Sequence, residues 1–250
     1  MNVQYASSSL SELFLQAELS ESEIKHINTV FNVTRKIKRG DYLFNSGDKF
    51  KDIFTIRAGL FKTSFLSSNG YEQVTGFGMR GEILGLDGIA TSHHSCIAIA
   101  LEDSEVYVID FNTLLDLSLQ IKNLQRNITR RLSSEIVRHH KELMVLGSML
   151  ADERVAVFLL DLSTRLHARG YSKSEFILKM NREEIASLLG MKHETLTRTL
   201  SKFTSEGIID VQLRTVKIFN FNKLRSIVKE HVKPENLNLM RERTMVVMRN

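Results

Sequence analysis

The sequence predicts an α+β protein in three parts. An N-terminal β jelly roll comes first, then one long helix, then a winged helix-turn-helix. Three observations carry this reading. Nine of the thirteen glycines fall between Gly40 and Gly88, where they separate short runs rich in β-branched and aromatic residues. From Ile121 the apolar residues recur mostly three, four or seven apart. From Asn181 to Phe203 the chain reads as a helix, a tight turn and a second helix. The expected division is an arm over 1–19, a jelly roll over 20–120, a long helix over 121–150, a winged helix over 151–232 and a tail over 233–250.

In chain order, residues 1–18 read as a loose arm. Ser20 then caps a helix, with Glu23 three residues on as its capping-box partner and Ile24, Ile27 and Phe31 on one face. Strands are expected at 33–37, 42–44, 52–58, 60–66, 73–77, 95–100 and 105–110. Asn69-Gly70 marks a hairpin, because both central residues of the favoured two-residue turn take positive φ. The stretch 78–91 reads as either helix or loop. Many short strands at this spacing point to a sandwich or jelly roll.

The next helix is expected over about 123–146. At ~1.5 Å per residue it would span ~36 Å, long for one side of a small domain. Its apolar seam runs through Ile121, Leu124, Ile128, Leu132, Ile136 and Leu143. A seam of that length suits a second copy of the same chain; packing within its own chain gives the same periodicity. Further helices are expected over 152–170 and 223–230, with a strand at 176–180 between the first of these and the helix-turn-helix. Strands at 209–213 and 215–219 form a β wing carrying Arg214 and Lys217. Pro234, the sole proline, ends the fold.

Within the helix-turn-helix, Asn181 and Glu184 form a capping-box pair, and Gly190 ends the first helix. Leu196, Leu200 and Phe203 face inward. That leaves His193, Glu194, Thr197 and Arg198 on the outer face. A glutamate accepts from a cytosine amine and an arginine forks onto a guanine edge, so this set suits base contacts in a major groove. Arg182, Lys192, Thr195, Lys202 and Lys217 are candidates for phosphate contacts, which position rather than specify. A plain helical hairpin with a solvated face would show the same pattern.

The chain has 250 residues, a formal net charge of +5 and a pI of about 9.3. Residues 182–225 hold eight Lys or Arg against five Asp or Glu. The balance suits a polyanionic partner. No apolar run reaches the ~20 residues of a membrane span, and no secretory signal opens the chain, so a cytoplasmic protein with no membrane partner is expected. One cysteine, Cys96, permits no internal disulfide. His93, His94 and Cys96 form a possible redox or ligand cluster. No glycine-rich phosphate loop, nucleophile elbow or H-E-x-x-H occurs, so an enzyme is not expected.

Several segments resemble the CRP/FNR family of bacterial transcription regulators, and within it the FNR branch. They are GDYLFNSGD, DIFTIRAGLFK, NGYEQVTGF, GEILGLDGI, SHHSCIAIALEDSEVYVIDF, ADERVAVFLLDLSTRL and MNREEIASLLGMKHETLTRTLSKFTSEGII. The resemblance covers roughly residues 20–230. It implies a cyclic-nucleotide-binding-like jelly roll and a homodimer on double-stranded DNA, with Glu194, Thr197 and Arg198 reading TTGAT-type half-sites. It also implies surface contacts with RNA polymerase, as activator or repressor. FNR holds an iron–sulfur cluster with four cysteines; here Tyr107 stands at the β-domain cysteine and the arm has none. The family's cyclic-AMP site pairs Gly-Glu with Arg-Ser. Gly81-Glu82 is present, but the stretch from His93 to Cys96 offers no arginine. The expectation is a homodimeric DNA-binding regulator with no metal and no cofactor, binding constitutively in air. The alternatives are a ligand-, haem- or redox-responsive member of the same family, and a scaffold that binds no DNA.

Overall fold

A computed structural model describes residues 19–67 and 69–228. Residues before Leu19 and after Val228, which include the expected arm, the expected helix end at 229–230 and Pro234, lie outside the described residues. The chain divides into two compact units, Met1–Arg138 and His139–Asn250.

In the first unit the opening helix is α1 (Glu21–Val30). Ser20 caps it as expected: its Oγ accepts from the Glu23 N–H, and the Glu23 carboxylate accepts from the Ser20 N–H. Eight strands follow: β1 (Thr34–Ile37), β2 (Tyr42–Phe44), β3 (Asp52–Ala58), β4 (Leu60–Leu66), β5 (Glu72–Met79), β6 (Ile83–Leu84), β7 (Ile97–Ala100) and β8 (Ser104–Asp110). They form two four-stranded antiparallel sheets, ordered β1-β8-β3-β6 and β2-β7-β4-β5. This is the expected jelly roll. The core between the sheets holds Phe44, Phe54, Ile56, Phe61, Ala98 and Val106.

Two details differ from the sequence reading. The open stretch 78–91 resolves into β6, which pairs with β3, and a 3₁₀ turn at Leu86–Gly88. Among the described residues of the β4–β5 hairpin Gly70 alone takes a positive φ, +82°, and elsewhere the described non-glycines that do are Ser92 and Leu213. The connection is longer than a two-residue turn. Ser67 N–H donates to Tyr71 O, and the Asn69 side chain accepts from the Tyr71 N–H and the Ser67 hydroxyl. Asparagine here closes the loop through its side chain rather than by adopting left-handed backbone.

Helices α2 (Phe111–Gln120) and α3 (Lys122–Ser148, 27 residues) follow β8. With α1 they cover the outer face of the β1-β8-β3-β6 sheet. Ile27, Phe31, Ile53, Ile109, Leu114, Leu117, Ile121 and Leu124 form that second core. This corrects the expected seam. Ile121 and Leu124 are buried inside their own unit, and Ile128 packs partly against the same cluster. Leu132, Ile136 and Leu143 are the ones that remain exposed. The start of α3 is held by α1 and α2, and periodicity alone does not distinguish those neighbours from a second copy.

The second unit contains α4 (Ala151–His167), β9 (Glu175–Ile177), α5 (Arg182–Leu188), α6 (His193–Ser205), β10 (Ile209–Gln212), β11 (Thr215–Ile218) and α7 (Phe221–Val228). The sheet order is β10-β11-β9. Val155, Leu159, Ile185, Leu196, Phe203 and Val216 are among its buried side chains.

Candidate nucleic-acid interface

The helix-turn-helix is built from local signals. Asn181 Oδ1 accepts from the Glu184 N–H at 2.8 Å, and the Glu184 carboxylate accepts from the Asn181 N–H at 2.8 Å. Gly190 has φ +59°, the left-handed region in which a Cβ is strained. That Cβ would also stand 3.3 Å from Leu146 Cδ2 and 3.4 Å from Arg154 Nη1.

Arg154, which no local sequence pattern marks, ties the turn down. Its guanidinium donates to four carbonyls: Met149 (3.0 Å), Leu189 (3.0 Å), Gly190 (3.3 Å) and Leu146 (2.7 Å). One planar fork thus joins the end of α3, the start of α4 and the turn between α5 and α6. A cation fits there because C-terminal carbonyls lack intrahelical partners.

Helix α6 docks through Leu196, Thr199, Leu200 and Phe203, all buried. Thr199 Oγ1 donates to Asp152 Oδ1 at 2.8 Å, and Lys202 Nζ stands 2.7 Å from Asp152 Oδ2. Burial alone would raise the Asp152 carboxyl, but Lys202 and Thr199 outweigh it and hold it below the usual carboxylate range. Lys202, expected at phosphate, is ion-paired with Asp152 in the free chain.

The opposite face is open. His193, Glu194, Thr197 and Arg198 are all exposed, as are Lys192 and, in part, Thr195. Their spacing along one helix places them on one side of its first two turns. Glu194 and Arg198 form no ion pair with each other, although they stand four residues apart; the described ion pairs of this helix run through Lys202. Lys192 supplies no side-chain cap, so the amide groups of the first turn are left to solvent.

The remaining phosphate candidates are less free. Arg182 opens α5 half-buried, and its Nη1 is buried without a hydrogen-bond partner among the described residues. Burial lowers its pKa. Lys217 faces Glu175 at 3.6 Å and lies over the Phe219 ring. The wing tip holds Leu213 at φ +55° and 96% exposed.

In the first unit, His93, His94 and Cys96 do not converge on a common point. His93 is exposed. His94 is buried and stacked on Phe44 at 3.9 Å. Cys96 is buried, and burial together with the neighbouring Asp87 charge pushes its thiol up to about 12. A reactive cysteine needs the thiolate, which this setting disfavours. No group of three or more His, Cys, Asp or Glu among the described residues could hold a metal. Tyr107 packs against the helix-covered core.

A sandwich joined to a winged helix with an outward-facing recognition helix defines a class: DNA-binding regulators. Comparison with known proteins narrows it. Residues 34–120 match the cyclic nucleotide-binding domain, and residues 153–227 match the Crp-like helix-turn-helix domain. The chain is 37% identical over 219 residues to the transcriptional regulatory protein btr of Bordetella pertussis, covering 88% of this chain and 90% of that one. It is 36% identical over 219 residues to the fumarate and nitrate reduction regulatory protein of Escherichia coli K12, covering 88% of each. The structure of FixK2 from Bradyrhizobium japonicum shares the fold, with a TM-score of 0.73 at 22% identity over 80% of this chain and 98% of that one. The chain belongs to the CRP/FNR family of transcription regulators. It is a DNA-binding regulator, not an enzyme. With one cysteine it cannot supply the four thiolates of an FNR-type cluster. No described helix is long and apolar enough to cross a membrane.

A domain of the cyclic nucleotide-binding kind invites a nucleotide phosphate, but the residues present do not fit one. The 93–96 stretch has no arginine. Two N–H groups there, Ser95 and Cys96, already donate to the Asp87 carboxylate.

Proposed function

We propose that the chain acts as a homodimer on palindromes of the form TTGAT-N4-ATCAA, each α6 reading one half-site. The observation that carries this is the open face of α6. Glu194 and Arg198 stand free of ion pairing while the helix behind them is docked by Thr199, Lys202 and its apolar residues. Arg198 reads guanine, Glu194 accepts from a base amine, Thr197 meets a base edge or methyl, and His193 reaches the outermost pair. Lys192 and Thr195 hold phosphate beside the uncapped start of the helix, with Arg182 and Lys217 as outer contacts.

The dimer forms along α3. Leu132 and Ile136 are 36% and 56% exposed, and Leu143 is 66% exposed. With Val137, 45% exposed, four apolar side chains are left open on one helix, which supports a partner helix there. Leu132→Glu or Ile136→Glu is expected to shift sedimentation toward a monomer. The protein works in the cytoplasm and touches RNA polymerase through surface loops, activating or repressing according to the site. No cofactor gates it, and its abundance sets the response.

The test is retention of a labelled TTGAT-N4-ATCAA duplex by aerobically purified, colourless protein at a stated salt concentration. Tight, sequence-selective retention is expected. Retention that requires haem, a cyclic nucleotide or a cell extract would overturn the constitutive reading.

A further inference from the structure

The 3₁₀ turn at Leu86–Gly88 presents one carboxylate to a set of donors eight and nine residues away. Asp87 Oδ2 accepts from the Ser95 N–H at 2.7 Å, the Cys96 N–H at 3.2 Å and the Ser95 hydroxyl at 3.3 Å. Asp87 Oδ1 stands 3.3 Å from His94 Nδ1. Successive backbone N–H groups that converge in this way make an anion-binding concavity. Ordinarily such a concavity takes a phosphate or another external oxyanion. Here the anion is covalently part of the chain.

The surroundings hold the arrangement in place. His94 is 5% exposed, stacked on Phe44 and edge-on to Phe50 at 5.7 Å. Its backbone bridges to the 45–48 turn: Gly47 N–H donates to His94 O at 2.8 Å, and His94 N–H donates to Asp48 O at 2.9 Å. Burial alone would push the Asp87 carboxyl up; the Ser95 and Cys96 amides, with His94, reverse that and hold it below the usual carboxylate range. A second anion brought to the same donors would meet a negative charge at hydrogen-bond distance, with no arginine in the 93–96 stretch to offset it.

We propose that Asp87 is a built-in ligand: its carboxylate occupies the oxyanion site formed by the Ser95 and Cys96 amides and His94, so the β domain is permanently filled and takes no external phosphodiester. This supplies a structural cause for regulation without a cyclic nucleotide. It stands independently of which DNA sequence α6 reads, because it is measured by melting and calorimetry rather than by DNA retention.

The experiment uses the full chain and three proteins. Asp87→Ala removes one carboxylate and leaves its donors, and formate is the matching probe. The variant is expected to melt several degrees below wild type, and tens of millimolar formate should raise its midpoint more than the same concentration of chloride does. The wild-type midpoint should show no such difference. Asp87→Asn keeps the shape without the charge and should fall between the two without formate. An Asp87→Ala variant that gains no more from formate than wild type does would overturn the proposal. So would an Asp87→Asn midpoint equal to that of wild type. Calorimetric titration of wild type with cyclic AMP and with cyclic GMP depends on no variant folding. No heat of binding is expected, and saturable binding of either nucleotide would overturn the proposal.

Discussion

The charged groups of the two units are used in opposite ways. In the jelly roll, Asp87 is turned inward and surrounded by donors from its own chain. In the winged helix, Glu194 and Arg198 are turned outward, and neither is ion-paired within the described chain, although each would find a partner in the other at the usual i,i+4 spacing. A carboxylate with all its hydrogen bonds made has nothing to offer a ligand. An arginine with none made carries its full donor set to whatever reaches the helix. In this chain the acidic group of the β domain is satisfied from within, while the charged pair on α6 is left open to a partner.

The sharpest way to break that comparison is Arg154, an inward-facing cation within the DNA-binding unit itself. Arg154→Ala would strip four carbonyls of their donor. Three of these bonds are part-buried and the one to Gly190 is exposed; a buried acceptor left unpaired costs about 1–3 kcal/mol, partly recovered here by water, so a loss of about 2–4 kcal/mol is expected. Urea unfolding of the full chain measures it. DNA retention should fall alike on specific and scrambled duplexes, because the turn that aims α6 is loosened rather than its reading residues altered.

Arg198→Ala should do the reverse. Stability should stay within about 0.5 kcal/mol of wild type, as for an exposed substitution whose only described charge partner is the more distant Asp152. Discrimination between TTGAT and a duplex changed at its guanine should drop by about 1–3 kcal/mol, roughly 5- to 150-fold in the ratio of dissociation constants. If Arg198→Ala melted early and kept its discrimination, the two roles would be assigned the wrong way round.

What was legible in the sequence follows from the range of the interaction. The Asn181–Glu184 and Ser20–Glu23 caps, the stop at Gly190 and the inward set Leu196, Leu200 and Phe203 are all local, and the structure has each as read. Contacts between distant residues were not legible. Arg154 reaches Leu189 across 35 residues. Asp152 reaches Lys202 across 50, an ion pair that the helix-turn-helix pattern alone does not reveal. Asp87 meets Ser95 through irregular chain, where no period exists to read. Ile121 and Leu124 fit the seam by spacing, but spacing reports an apolar face and not what covers it. The Asn69-Gly70 pair misled for a related reason, since asparagine closes turns through its backbone or its side chain and the dipeptide does not say which.

A third prediction probes the boundary between docking and reading on α6. Thr199 is buried and donates to Asp152, so Thr199→Val should keep its shape and lose one hydrogen bond to a charged acceptor, about 1–2 kcal/mol. The pH dependence follows from Asp152, whose folded pKa is depressed. Its contribution is present above the unfolded value of about 3.9 and is lost as pH falls through the lower folded value. The gap between wild type and Thr199→Val should therefore be full near neutrality and close in acid. A gap that stayed constant into acid would mean that the threonine acts through packing and not through the carboxylate.

The smallest expected effect concerns the wing. Leu213 stands at φ +55° with its side chain 96% exposed. Left-handed backbone costs an ordinary residue about 1–2 kcal/mol, and nothing within its own unit covers the leucine to offset that. Glycine removes the strain but loses about 0.5–1 kcal/mol of its own in backbone entropy. Leu213→Gly should thus stabilise the fold by roughly 0.5 kcal/mol, read as a small rise in the urea midpoint with an unchanged slope. It is the one substitution here expected to raise stability while leaving every paired charge of either unit intact. A fall in midpoint would mean that the leucine is held by packing rather than strained, and the wing would then belong with Asp87 among the parts that are closed on themselves.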